Sequence, residues 1–396
     1  MRNSECGIES LSPLLTGRFF IPDSAFIILN YLREVFIMVD NFITLDKNML
    51  VDKMGDIDVV WNDVRKPPFK IYGLYQPETE AWFHRMPMDV AAATSPEVEK
   101  LSQEPAGGRV RFSTDSPFVA IRAKYRVVGR ASHLTLVSTS GFDLYVDDEF
   151  GSRFVKEFRM DVDMVDSYEQ KIDVPGKGMR AYTINFPVHC VVETLEVGVA
   201  PGSVLAEGKK YRDKEQIVFY GSSIVHGTAA TRPGLIYENN VCRALDMDYI
   251  NLGFSGNAKG EPAIAHWMAT LPMSVFVCDY DYNAPTLEHL EATHYPLYEA
   301  IRAKNPDVPY IMITRPNYWT AGDNEDTLCR RDIVMRSYLK AREAGDKNVY
   351  FIDGTAFFEN ADMYDCTMDG VHPNDTGFIR MGETIAALIC HIFECR

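Results

Sequence analysis

The chain has 396 residues, of which 46% are apolar, and a formal net charge of −16. That length exceeds what one core usually supports, so two domains are expected. The acidic balance argues against nucleic acid or an anionic membrane as partner. The eight cysteines (Cys6, Cys190, Cys242, Cys278, Cys329, Cys366, Cys390 and Cys395) show no CxxC spacing. This gives no zinc pattern. Several lie in apolar runs, as free buried thiols do, so a reducing compartment is the simpler reading.

Residues 19–39 are apolar but are interrupted by Asp23, Arg33 and Glu34. They fall short of the roughly 20 uninterrupted apolar residues of a membrane span. They also lack the basic start and small-residue cleavage site of a signal peptide. A peripheral amphipathic helix is one reading. The favoured one starts translation at Met38 or Met49, leaving residues 1–37 as an extension outside the fold.

From about residue 38 to residue 206 the chain reads as β-rich. Arg109–Ser113, Val119–Ala123, Leu134–Val137 and Phe142–Asp148 alternate or run apolar between Gly, Pro, Ser and Asp turn signals. Many short strands with little helix predict an all-β sandwich or jelly roll. From 207 to 396 the pattern changes. Short apolar strands at Ile217–Tyr220, Tyr249–Leu252, Val275–Asp279, Tyr310–Thr314 and Val349–Asp353 alternate with helical stretches at Leu287–Ala303, Ile333–Glu343 and Thr376–Phe393. That alternation predicts a parallel sheet with helices on both faces, and a site at the carboxyl ends of its strands.

Four segments of this second half carry chemistry. Tyr220-Gly221-Ser222-Ser223-Ile224-Val225-His226-Gly227 puts a serine at a strand-to-helix turn. Asn251-Leu252-Gly253-Phe254-Ser255-Gly256-Asn257 and Asp279-Tyr280-Asp281-Tyr282-Asn283-Ala284 follow the next two strands, and Asp369-Gly370-Val371-His372-Pro373-Asn374 lies near the C-terminus. A serine in such a turn is by itself an ordinary helix cap. Paired with an Asp-x-x-His, it is what acyl transfer through a serine ester requires: a base for the hydroxyl proton and a carboxylate to fix the base's tautomer.

In order and spacing the four segments resemble the blocks of the SGNH (GDSL-type) hydrolases. The resemblance implies a flavodoxin-like α/β/α domain, with Ser223 as nucleophile and Asp369 and His372 completing a triad. It also implies an oxyanion hole from Ser223, Gly256 and Asn283. The family's usual Gly-Asp-Ser-Ile reads Gly221-Ser222-Ser223-Ile224 here, so Ser222 competes for the role. Gly227, four residues after Ser223, matches the family register and favours Ser223. The Gly141-Phe142-Asp143-Leu144-Tyr145 segment ahead of this half resembles a bacterial two-domain group in which Gly-Ser-Ser is normal.

The expected activity is hydrolysis of small acyl esters, acetyl foremost, on carbohydrates. The carbohydrate reading follows an architectural similarity to esterases that place a jelly roll before an SGNH domain. No metal or cofactor is needed for such a mechanism, and the partner is a small-molecule or oligosaccharide ester. A lipid or thioester acyl hydrolase and a vestigial carbohydrate-binding protein are the alternatives. His226, read as a packing or substrate-side residue, Glu261, read also as an anchor for its loop or a neighbouring arginine, and Arg315 are weaker candidates for substrate contact, as are Arg330 and Arg331, whose default is surface ion pairing; Trp61 and Trp82 are candidate sugar platforms or core residues. With neither signal peptide nor span recognised, the cytoplasm is the expected location. Oligomeric state is left open.

Overall fold

The computed structural model describes Val51 and residues 54–174, 176–212, 215–316, 325–359 and 363–394. The reading of residues 1–37, and of Met38 and Met49 as starts, lies outside the described residues. Residues from Asp52 onward cluster as one compact unit.

The first half is built from ten strands: β1 Val60–Asp63, β2 Lys70–Tyr72, β3 Arg109–Thr114, β4 Phe118–Val127, β5 Phe142–Asp148, β6 Gly151–Phe158, β7 Ser167–Asp173, β8 Arg180–Asn185, β9 Val191–Val199 and β10 Leu205–Glu207. They form two antiparallel sheets, one ordered β1-β9-β4-β7 and one ordered β10-β3-β8-β5-β6, with β2 paired to β3. Alternation builds the core between them. Val119, Ile121, Ala123 and Tyr125 of β4 face Val110, Phe112, Phe142, Leu144 and Ile184 of the other sheet. Short helices α1 Met88–Thr94 and α2 Pro96–Ser102 precede β3.

One predicted strand is a helix. Leu134–Val137 gives way to α3, Leu136–Ser140, whose N-cap Thr135 accepts from the Ser138 N–H. A short apolar run does not distinguish strand from helix. Here the cap decides it, and Ser140 turns inward, where its hydroxyl accepts from the Gly129 N–H at 2.9 Å.

The second half is a five-stranded parallel sheet: β11 Gln216–Gly221, β12 Tyr249–Gly253, β13 Met273–Asp279, β14 Tyr310–Ile313 and β15 Val349–Ile352, ordered β12-β11-β13-β14-β15. Both faces are buried, which is why its strands read as continuous apolar runs rather than alternating ones. Ile217, Phe219, Val275 and Val277 pack to one side, against α5 Tyr237–Leu245 and α9 Asp375–Glu394. Val218, Tyr220, Phe276 and Cys278 pack to the other, against α6 Pro262–Met268, α7 Leu287–Lys304 and α8 Glu325–Glu343. By length and apolarity α9 alone among the described helices could cross a bilayer. Its Phe378, Met381, Ile385 and Ile389 are instead buried in the core.

Buried polar groups join the halves. Arg85 donates to the carbonyls of Asn251, at 3.2 Å, and Gly253, at 2.7 Å, at the end of β12. Asp143 of the Gly-Phe-Asp-Leu-Tyr segment accepts from the Gly234 N–H at 2.8 Å and from Arg232 at 3.0 Å, while Tyr145 donates to the Gly234 carbonyl. That segment is therefore a docking strand. Its carboxylate and phenol hold the loop that follows the serine turn.

Candidate active site

The sheet order reverses between β12 and β13 around the first strand of the sheet, β11, which is where open parallel sheets leave a crevice. β11 ends in Gly221, which lies so close to β13 that a Cβ there would stand 1.9 Å from the Asp279 carbonyl oxygen. Only glycine permits that approach. The Ser222 N–H then bonds this carbonyl at 2.9 Å. Ser222 is fully buried, and its hydroxyl caps the next turn by accepting from the Ile224 N–H. Ser223, the first residue of α4 Ser223–His226, is half-buried and lines the crevice. The two serines thus divide: Ser222 caps and Ser223 faces outward.

The Ser223 Oγ lies 2.9 Å from His372 Nε2, and His372 Nδ1 lies 2.7 Å from Asp369 Oδ2. The other Asp369 oxygen accepts the N–H groups of Val371, at 3.0 Å, and His372, at 2.8 Å. Burial alone would raise the Asp369 pKa. The N–H and imidazole of His372 and the N–H of Val371 outweigh it and hold the carboxyl below its ordinary value. An ionised Asp369 fixes a proton on Nδ1 and leaves Nε2 free to accept from Ser223.

Gly256 and Asn283 line the same cleft of about 520 Å³. Gly256 has φ +72°, a left-handed conformation that favours glycine, and a Cβ there would enter open space. Asn283 sits on a 3₁₀ turn, Asp281–Asn283, and donates one amide hydrogen to the Phe254 carbonyl at 2.9 Å. Its second amide hydrogen remains for a ligand. Arg330 braces this turn, donating to the carbonyls of Asp281 and Ala284, each at 2.8 Å. It therefore acts behind Asn283 and does not line the cleft.

The other candidates are placed as follows. His226 is fully buried, so it is no substrate contact. Glu261 accepts from the Lys259 N–H at 3.1 Å and steadies the loop before α6. The Arg315 guanidinium lies over the Tyr282 ring at 3.8 Å, one layer behind a residue that lines the cleft. Arg331 pairs with Asp332 and Asp353. Trp61 and Trp82 lie under Arg122 and Arg126 and neither lines the cleft, which removes both as sugar platforms there.

Sequence reasoning missed the opposite wall. Gly129, Arg130, Ala131, His133, Leu134 and His189 of the β sandwich line the cleft facing Ser223. Also missed is the cluster of Glu104, His189 and His226, of which only His226 is fully buried. Neither leaves a local signal, because the wall is a loop and the cluster draws on three distant segments.

Residues 214–390 match the model of the GDSL-like lipase/acylhydrolase family, and residues 59–205 match that of the N-terminus of SGNH-hydrolase-type esterases, named GxDLY. The chain belongs to this two-domain SGNH family and is a carboxylic ester hydrolase. No curated protein matches it in sequence. Among solved structures, a GDSL-like protein from Bacteroides ovatus is 27% identical with a TM-score of 0.77, over 85% of this chain and 98% of that one. The salicylyl-acyltransferase SsfX3 of a tetracycline biosynthetic pathway is 20% identical with a TM-score of 0.68, over 84% and 97%. The acetyl xylan esterase Est2A of the rumen bacterium Butyrivibrio proteoclasticus shares the fold at 10% identity and a TM-score of 0.54, over 85% and 99%.

Proposed function

We propose that the protein is a serine esterase that removes small acyl groups, acetyl foremost, from carbohydrate alcohols. The observation that carries the reading is the open hydrogen-bonded chain from Asp369 through His372 to the Ser223 hydroxyl, ending in the cleft. In the proposed reaction His372 Nε2 takes the Ser223 proton as Oγ attacks the ester carbonyl, and Asp369 stabilises the imidazolium that forms. The N–H groups of Ser223 and Gly256 and the Asn283 amide receive the charge that develops on the carbonyl oxygen. His372 returns its proton to the leaving alcohol. It then takes a proton from the water that hydrolyses the acyl-enzyme.

Two features support a small, hydroxylated substrate. The cleft volume of about 520 Å³ suits one small molecule, and Arg130 and His133 place polar groups on its sandwich wall. Carbohydrate esterases also recur among proteins of this fold. The test is hydrolysis of p-nitrophenyl esters of increasing chain length by wild type and Ser223→Ala, followed by acetylated oligosaccharides. Acetate hydrolysis that falls with chain length and drops about 10⁴-fold or more in the variant is expected. A preference for long chains would move the substrate to lipids or thioesters. No activity on any ester or acetylated sugar would mark the site as vestigial.

A further inference from the structure

We propose that Glu104, His189, His226, Thr228 and Ser255 form a closed hydrogen-bonded ring that positions the Ser255–Gly256 turn against the nucleophile helix. The β sandwich is thereby a working part of the active site. This rests on the esterase reading above, since Gly256 is its oxyanion donor.

The ring is made of five contacts. Glu104 Oε2 lies 3.0 Å from His226 Nε2 and 3.1 Å from His189 Nδ1; His189 Nε2 lies 3.0 Å from Thr228 Oγ1; Thr228 Oγ1 lies 3.3 Å from Ser255 Oγ; and Ser255 Oγ lies 3.1 Å from His226 Nδ1. Glu104 and His189 come from the sandwich and the other three from the α/β half. His226 ends the helix that Ser223 begins, and Ser255 immediately precedes Gly256. The ring thus ties the oxyanion turn to the nucleophile's own helix through a carboxylate from the other half.

Proton counting sets its state. Glu104 only accepts: burial opposes its ionisation, but hydrogen bonds from His189 and His226 hold the carboxyl well below the usual range. His226 Nε2 also lies 3.1 Å from the Val188 carbonyl, which calls for an N–H there. Its Nδ1 is then the acceptor for the Ser255 hydroxyl, with the Ser255 N–H at 3.5 Å. Ser255 receives the Thr228 hydroxyl, and Thr228 needs a donor from His189 Nε2. His189 faces Glu104 at 3.1 Å, Thr228 at 3.0 Å and the His226 ring at 4.5 Å. On the cleft side stand Arg130, His133 and His372.

The test has a kinetic and a spectroscopic arm. Glu104→Gln keeps the shape but removes the counter-charge, and Thr228→Val removes the bridging hydroxyl while Thr228→Ser keeps it. The expected result on p-nitrophenyl acetate is a fall in kcat of about 10–100-fold for Glu104→Gln and Thr228→Val, KM within about 3-fold, and near wild-type kcat for Thr228→Ser. In ¹⁵N-histidine spectra at neutral pH, His226 should carry its proton on Nε2, with Nδ1 unprotonated. If wild type is active and depends on Ser223 while both variants keep kcat within about 2-fold, the ring is only structural and the proposal falls alone. A His226 proton on Nδ1 in place of Nε2 overturns it whatever the kinetics, because the Ser255 contact then loses its acceptor. So would activity lost to a chelator and restored by Zn²⁺, because the three ligand atoms would then hold a metal in place of protons. Hydrolysis indifferent to Ser223 would overturn the esterase reading itself and take the ring's role with it.

Discussion

The proposed triad and the ring around Glu104 are built from the same parts, a carboxylate, imidazole and hydroxyl, and they differ in closure. The triad is an open chain. Its acid and base are partly exposed, at 36% and 22%, and it ends on a hydroxyl in the cleft. Its terminal proton has somewhere to go. The ring is closed on itself around a fully buried His226, and each proton is committed to a neighbour. Chemistry belongs to the chain with a free end, and rigidity belongs to the one without.

Breaking the open chain should have the larger effect. Asp369→Asn preserves the loop's outline but presents an amide to His372 Nδ1, which favours the wrong tautomer. A fall in kcat of about 10⁴-fold is expected, measured on p-nitrophenyl acetate. Asn283→Ala removes one proposed oxyanion donor and should lower kcat by about 10²–10³-fold with KM little changed. A KM effect of that size with kcat intact would mean that Asn283 binds ground-state substrate instead.

The ring's signature should be in stability rather than rate as pH changes. Burial, then the charges of Arg85 and His189, push the His226 pKa down to about 3, against the pull of Glu104. Below its ordinary pKa near 6.5 the unfolded chain takes up a proton that folded His226 refuses, so stability should fall as pH drops from about 6.5 toward 3. Glu104, also held low, acts in the same direction across the lower part of that window. His226→Asn should flatten the dependence of the unfolding midpoint on pH between 6.5 and 4.5. An unchanged slope would show that His226 titrates in the folded protein as it does in the unfolded chain.

The same contrast explains what the sequence disclosed. Asp369 and His372 are three residues apart, and Ser223, Gly256 and Asn283 each follow a strand whose apolar run is visible, so a one-dimensional pattern carries them to one edge of the sheet. The parallel sheet was legible because β11, β13 and β14 are buried on both faces. The ring was not legible, because Glu104, His189 and His226 have no common spacing and meet only where the sandwich packs against the α/β half. His226 carried a local signal, its place on the serine helix, but that signal left packing and substrate contact open, and the side chain points into the interior. Leu134–Val137 misread as strand for a related reason: Thr135 as a cap and Ser140 as a buried acceptor act through contacts that hydrophobic periodicity does not record.

The central claim is that Ser223, not its neighbour, ends the open chain and attacks the ester. The most direct measurement is peptide mass spectrometry after inactivation with a p-nitrophenyl phosphonate, which traps a nucleophilic serine in a stable adduct. Stoichiometric labelling of Ser223, blocked by Ser223→Ala and slowed by Asp369→Asn, is expected. Labelling of Ser222, or inactivation with neither serine modified, would contradict it.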